Sequence, residues 1–296
     1  MNFAGSVKLK AAKEMVAAAE ESGVLTEDSV LIESSSGNLG VALSMIAANR
    51  GLRFVCVTDV RCNLATRQLM AAFGAEVHVV TTPHPGSGLL GARLRLLREM
   101  CAADSRYLWL NQYANPSNWL AHFRGTAPAI DRRFPRLQVL FVGAGTTGTL
   151  MGCARYFRAA DLPVRIVAVD SVGSVTFGMP PARRLIPGLG TGVLPPILDR
   201  SLVDEVIHIE EEDTVRMCHR LARAGFLFGG STGTVLAGAE RWLAANRLGE
   251  AGTAVAIAPD LGERYLDTVY QPSWVENAYG IDPSAAVGRT ALDQTS

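Results

Sequence analysis

VLFVGAGTTGTLMGC, residues 139–153, ends an apolar, β-branched run in Gly143, Gly145 and Gly148 and continues as a small-residue helix pattern. It reads as strand, tight turn and helix. Glycines allow successive backbone N–H groups to converge, and a helix start adds unsatisfied amides and a positive dipole end, so the turn suits a phosphate. Two ligand classes fit. The three glycines match the dinucleotide spacing G-x-G-x-x-G, and IVAVD ends on Asp170 roughly 20 residues on, where a ribose-binding acid would sit. That is the reading of a nicotinamide (NAD) oxidoreductase. It leaves two loops of similar build, SSSGNLG at 34–40 and GGSTGT at 229–234, without a purpose.

A chain of 296 residues exceeds a usual single core and predicts two domains or one large α/β unit. Lysine plus arginine equals aspartate plus glutamate at 28 each, which argues against a nucleic-acid partner and for small-molecule chemistry. Five cysteines without a C-x-x-C pair give neither a disulfide framework nor a metal site, and point to a reducing cytoplasm. No apolar run approaches the ~18 residues of a membrane span, so no membrane partner is expected. Charges among residues 1–12 also speak against a signal peptide.

Outward from the glycine turn, strands and helices alternate along the chain. VLIE, RFVCVTD (53–59), EVHVV (76–80) and YLWLN read as strands of one unit, separated by helical patterns. LQVLFVG, RIVAVD (165–170), EVIHIE (205–210) and TAVAIAPD (253–260) read as those of a second. Arg93, Arg95 and Arg98 lie among leucines of a helix at 89–102, a pattern usual for a solvated face. A Gly- and Pro-rich passage from Ser171 to Pro196 has little periodicity, and such passages are more often functional than idle. Residues 282–296 are small and polar and are expected to be an unstructured tail.

A cofactor with one phosphate, an aromatic ring and an aldehyde would use all three loops. The amides of Gly145–Thr149 and the hydroxyls of Thr146, Thr147 and Thr149 would take its phosphate. Lys8 follows a Gly-Ser turn at a helix start, where burial and the dipole both disfavour its charged form, and a neutral amine is what captures an aldehyde. Ser35, Ser36 and Asn38 exceed what a helix cap requires and would suit an α-carboxylate. Ser231 could cap its helix or meet a ring nitrogen.

Together GSVK, SSSGNLG, NQYANPSNW, GAGTTGTLMG, the GLG at 188–190, GGSTGT and PDLGERYLDTVY at 259–270 resemble, in order, the cysteine synthase family of pyridoxal-phosphate enzymes. The resemblance implies fold type II, the tryptophan synthase β-like arrangement of two three-layer α/β domains with the cofactor between them. The smaller, substrate-binding domain would span 13–120, the larger, cofactor-binding domain 1–12 and 121–296, with the family's leading strands missing. It implies Lys8 as the lysine that binds pyridoxal 5'-phosphate and moves the α-proton, and Asn38 at the ring hydroxyl. Gly145, Thr146, Thr147, Gly148 and Thr149 would hold the phosphate, and Ser231 would face the pyridine nitrogen. Ser35, Ser36, Gly37, Asn38, Leu39 and Gln112 would hold the substrate carboxylate.

The implied reaction is a β-replacement on an activated serine through an α-aminoacrylate, by a homodimer. LIESSSGNLG, NQYAN-x-x-NW, VDSVGSV-x-FG and PDLGERYLDTVY are most similar to the branch that joins O-phosphoserine to glutamate, on the route to diaminopropionate and siderophores. Arg93 and Tyr113 would then take the carboxylates of an amine nucleophile. Cysteine or S-sulfocysteine synthesis from a sulfur donor is the near alternative, and a catalytically dead regulatory protein a further one. The chain departs from the family at Leu9 and Lys10, where Asp-Arg is usual after the lysine. It also has Gly145 where the glutamate-using branch has serine.

Overall fold

The computed structural model describes residues 3–250 and 252–282. The elements run α1 (Lys8–Glu21), β1 (Val30–Ser34), α2 (Asn38–Arg50), β2 (Arg53–Asp59), α3 (Leu64–Ala72), β3 (Glu76–Val80), α4 (Gly88–Ala103), β4 (Tyr107–Trp109) and α5 (Pro116–Ala121). The chain continues through α6 (Ala127–Arg133), β5 (Leu137–Gly143), α7 (Gly148–Ala159), β6 (Arg165–Ser171), β7 (Glu205–Ile209), α8 (Glu211–Arg223), α9 (Gly230–Ala245), β8 (Thr253–Ala256) and α10 (Pro272–Tyr279). A π-helical turn, His122–Thr126, joins α5 to α6.

The strands form two parallel sheets, ordered β3-β2-β1-β4 and β7-β6-β5-β8. In each, the first strand in sequence is internal: the chain steps outward on one side of it and later returns to the other. Strand order therefore reverses at β1 and at β5, and the crevice at the carboxyl end of such a strand is where open α/β sheets bind ligands. SSSGNLG leaves the end of β1, and the Gly143–Thr149 turn leaves the end of β5.

The inner strands are buried along their length, as parallel strands covered on both faces must be. Met15 and Val16 of α1 pack with Leu31, Leu43 and Phe54, whereas Leu150 and Phe157 of α7 pack with Leu140 and Ile166. Gly51, at φ 68°, ends α2 in the left-handed conformation that a terminating glycine adopts without strain.

The expected strands at 53–59 and 76–80 occur with those bounds, and that at 165–170 extends to Ser171. The π-turn, α6 and α10 were not anticipated. Between β6 and a 3-10 turn at Arg200–Leu202 the Gly/Pro passage forms no helix or strand. The expected tail lies, from residue 283 on, outside the described residues.

Candidate active site between the two sheets

A cavity of about 460 Å³ opens between the carboxyl ends of the sheets. Lys8, Ser35, Ser36, Gly37, Asn38, Leu39, Arg93, Gln112, Tyr113, Gly145, Thr146, Thr147, Gly148, Thr149 and Ser231 all line it. The Gly/Pro passage closes another side through Val175, Pro181 and the stretch Arg184–Gly192. Its backbone is pinned where Gly190 N donates to Ala144 O at 2.8 Å, and where Leu185 and Ile186 N donate to the Glu211 carboxylate at 2.7–2.9 Å.

The turn after β5 is crowded. A Cβ on Gly145 would lie 2.7 Å from Gly188 O, and one on Gly148 would lie 2.1 Å from Asn118 Oδ1. Thr147, the residue before α7, is held at φ 66°, rare for a β-branched residue. Its Oγ1 is buried and has no hydrogen-bond partner within the chain. Thr146 Oγ1 accepts from Asn118 Nδ2 at 3.0 Å and from Lys8 Nζ at 3.3 Å. An orphaned hydroxyl, a strained residue and a helix start converging on one point fit a phosphate oxygen.

Lys8 opens α1. Burial lowers its pKa to about 8, against the opposing pull of the Glu33 carboxylate. Glu33 is itself buried in β1, and burial raises its pKa to about 7. Three N–H groups stabilise its charged form: Ser34 N at 2.8 Å, Gln112 N at 3.0 Å and Trp109 Nε1 at 3.1 Å.

Some of the sequence-chosen groups are already engaged. Ser35 Oγ accepts from Gly37 N at 3.1 Å and Gly40 N at 2.9 Å, the work of a cap, while Gln112 Nε2 donates to Ser34 O at 2.9 Å. Asn38 Oδ1 accepts from Arg264 Nη1. Ser231 is buried at the start of α9 beside Asp260, whose carboxylate accepts from Thr232 N and Thr232 Oγ1 at 2.9 Å and from the Tyr265 hydroxyl at 2.6 Å. Burial raises the Asp260 pKa, and these donors, with Ser231, oppose the rise.

The solvated face expected for Arg93 is not observed. Arg93 is 4% exposed, its Nε lies 3.1 Å from Asp59 Oδ2, and its Nη1 has no hydrogen-bond partner within the chain. Asp59 also accepts from Arg61 Nε at 3.2 Å, so one buried carboxylate faces two guanidinium groups. Arg61, Arg184 and Arg264 line the cavity too and escaped the sequence reading. Arg264 lay within the quoted PDLGERYLDTVY, and Arg184 within the Gly/Pro passage; isolated arginines in loops carry no signal of the side they face.

Asp170 does not serve as a ribose acid. It is fully buried, accepts from Ser171 N at 2.8 Å and lies outside the cavity lining, and burial raises its pKa to about 6. Four of the five cysteines are buried, and burial raises the thiol pKa of Cys153 and of Cys218 to about 12; Cys101, on α4, is partly exposed. Among the described residues no cluster could hold a metal, and no helix is long and apolar enough to cross a membrane.

Residues 1–260 match the family described as pyridoxal-phosphate dependent enzymes, and the chain belongs to that family. It is 40% identical over 278 residues, 93% of its length and 82% of the relative's, to N-(2-amino-2-carboxyethyl)-L-glutamate synthase of Cupriavidus metallidurans. The enzyme of that name from Ralstonia nicotianae is 39% identical over 277 residues, covering 93% and 81% of the two chains. Among solved structures, O-ureido-L-serine synthase superposes with a TM-score of 0.82 at 30% identity, covering 99% of this chain and 88% of that one. The O-acetylserine dependent cystathionine β-synthase of Helicobacter pylori gives 0.82 at 28% identity, covering 92% and 88%. The protein is thus a fold type II enzyme of the β-replacement type, and its cofactor is pyridoxal phosphate.

Proposed function

We propose that the enzyme replaces the β-substituent of an activated L-serine, O-phospho-L-serine, with the amino group of L-glutamate. The charge of the cavity carries this reading. Arg61, Arg93, Arg184 and Arg264 line it beside Lys8, and the buried Nη1 of Arg93 has no partner in the chain. A phosphate and a nucleophile with two carboxylates would supply anions on the scale of that cationic lining. Asp59 already answers Arg61 and Arg93 in part, and a sulfide nucleophile would add no carboxylate to match the remainder. The relatives named for a glutamate product support the same reading.

Bound pyridoxal phosphate supplies an aldehyde for an amine and an electron-withdrawing ring that acidifies the α-carbon. The residues act around it. Lys8, whose lowered pKa leaves much of the amine neutral near pH 8, would hold the cofactor at its aldehyde, and its Nζ, when displaced from there by the substrate amine, would be the base that takes the α-proton. The Gly145–Thr149 turn binds the phosphate, and Asn38, with its oxygen taken by Arg264, presents its Nδ2 to the ring hydroxyl. Ser231 faces the pyridine nitrogen. Ser36, Leu39 and the amides at the start of α2 bind the substrate carboxylate, on a loop shaped by Ser35, Gly37 and Gln112. Arg93 and Tyr113 bind the glutamate carboxylates.

Purified enzyme given O-phosphoserine or O-acetylserine with glutamate, sulfide or thiosulfate, and analysed by mass spectrometry, tests the assignment. N-(2-amino-2-carboxyethyl)-glutamate formed from O-phosphoserine is the expected product. Turnover with sulfur donors alone would replace this reading by cysteine or S-sulfocysteine synthesis.

A further inference from the structure

Behind the phosphate turn, on the side away from the cavity, a line of side chains links it to α1. Lys10 Nζ donates to Thr126 Oγ1 at 2.9 Å, Thr126 Oγ1 lies 2.9 Å from His122 Nδ1, and His122 Nε2 lies 3.2 Å from Thr149 Oγ1. Thr126 and His122 are buried, at 9% and 1% exposure, and they bracket the single π-turn of the chain's described residues. π-turns inside helices recur at functional sites. This one is clamped, because a Cβ on Gly152 of α7 would lie 2.3 Å from Trp119 O and 2.5 Å from His122 Cβ.

Donor and acceptor chemistry gives the line a direction. A lysine ammonium only donates, so Thr126 Oγ1 accepts from Lys10 and its own proton is left to point at His122 Nδ1. Burial, with Lys8 and Lys10 nearby, pushes the His122 pKa down to about 3 and keeps the ring neutral. A neutral ring that accepts at Nδ1 carries its proton on Nε2, where it meets Thr149 Oγ1. The Thr149 proton is then turned outward. We propose that Lys10, acting through Thr126 and His122, is a positioning residue that orients the Thr149 hydroxyl as a donor to the cofactor phosphate. This rests on the reading of Gly145–Thr149 as the phosphate turn.

The test uses full-length protein stripped of cofactor and titrated with pyridoxal phosphate, together with the ³¹P shift of the bound phosphate and the ¹⁵N pattern of His122. Lys10→Met and Thr126→Val should each weaken cofactor binding about tenfold, the order expected for one hydrogen bond to a charged group. Lys10→Met should move the ³¹P resonance and turn a single Nε2–H tautomer into a mixture, while Lys10→Arg, which also only donates, should restore all three readouts. Unchanged affinity and tautomer in Lys10→Met, or failure of Lys10→Arg to rescue, overturns the relay. Thr149→Val separates the two levels: if it binds cofactor as tightly as wild type, the phosphate-turn reading fails, whereas a loss there with no effect of Lys10→Met sinks the relay alone. Matched far-UV circular dichroism of Lys10→Met and Lys10→Arg assigns the difference between them to orientation rather than folding.

Discussion

The guanidinium of Arg264 donates from Nη1 to Asn38 Oδ1 and from Nη2 to Ala4 O at 2.5 Å. It thereby ties the loop after β1 to the turn that carries Lys8. With this bond orienting its oxygen, Asn38 keeps the two N–H donors of Nδ2 for another partner. Arg264→Met should release both segments and raise the KM for the serine substrate by about tenfold, a change of ~1.4 kcal/mol, with a smaller effect on kcat. Steady-state kinetics with varied O-phosphoserine give the answer, and an unchanged KM would remove Arg264 from the site.

Glu33 sets the charge beside Lys8. Its carboxylate raises the Lys8 pKa that burial lowers, so Glu33→Gln should let that pKa fall further below about 8. Loading of the stripped enzyme with cofactor needs the neutral amine, and its rate should fall on the acid side through a lower pH in Glu33→Gln than in wild type. The amide would also set a donor against the N–H groups now facing the carboxylate, at a cost of ~1–3 kcal/mol in stability. Absorbance-monitored loading across a pH series, with urea denaturation alongside, reads both effects; an acid limb moving to higher pH would contradict the sign.

Thr147 pairs backbone strain with an unpartnered hydroxyl. A left-handed conformation costs a side-chain-bearing residue ~1–2 kcal/mol, part of which glycine would return through its looser unfolded state. Thr147→Gly should therefore leave the cofactor-free enzyme as stable as wild type or up to ~1 kcal/mol more so, and still bind cofactor more weakly. Opposite movement of apoenzyme Tm and cofactor affinity is the result sought.

Arg93 and Asp59 divide stability from recognition. Asp59→Asn leaves two guanidinium groups without their shared carboxylate, one of them buried, and should cost ~3–5 kcal/mol of folding stability. Arg93→Met removes the buried charge instead; it should raise the KM for glutamate at least ~tenfold while leaving the spectral response to O-phosphoserine alone intact. A glutamate KM equal to wild type would move the nucleophile's carboxylate site elsewhere.

The sheets were legible because their signal is local. Continuous apolar runs such as VLI in β1 and VLFV in β5, each followed by a polar glycine loop, state strand, turn and helix within a few residues. Lys8, Asn38, Thr146, Thr147 and Thr149 all line the cavity; Asn38 stood out because SSSGNLG is more polar than a cap requires and the threonines because they follow a glycine turn, whereas Lys8 drew its weight only from those loops. The burial of Arg93 was not legible, because its helix shows leucines and arginines at mixed spacing and the deciding contact, Asp59, lies 34 positions earlier on β2. Arg264 and Asn38 are separated by 226 positions, and Lys10 and Thr126 by 116, so only the folded chain pairs them. The π-turn is invisible to any 3.6-residue pattern, its hydrogen bonds spanning one residue more than those of an α-helix.

The uneven protection of the thiols makes the enzyme a substrate for selective labelling without mutagenesis. Four sulfurs are withdrawn from solvent, whereas Cys101 is partly exposed eight residues beyond Arg93 on the same helix, about 12 Å along its axis. A maleimide dye should attach there first. Because α4 carries the Arg93 that we assign to the nucleophile, the dye would sit on the element through which arrival of the second amino acid is felt, and would report it optically apart from the chemistry at Lys8.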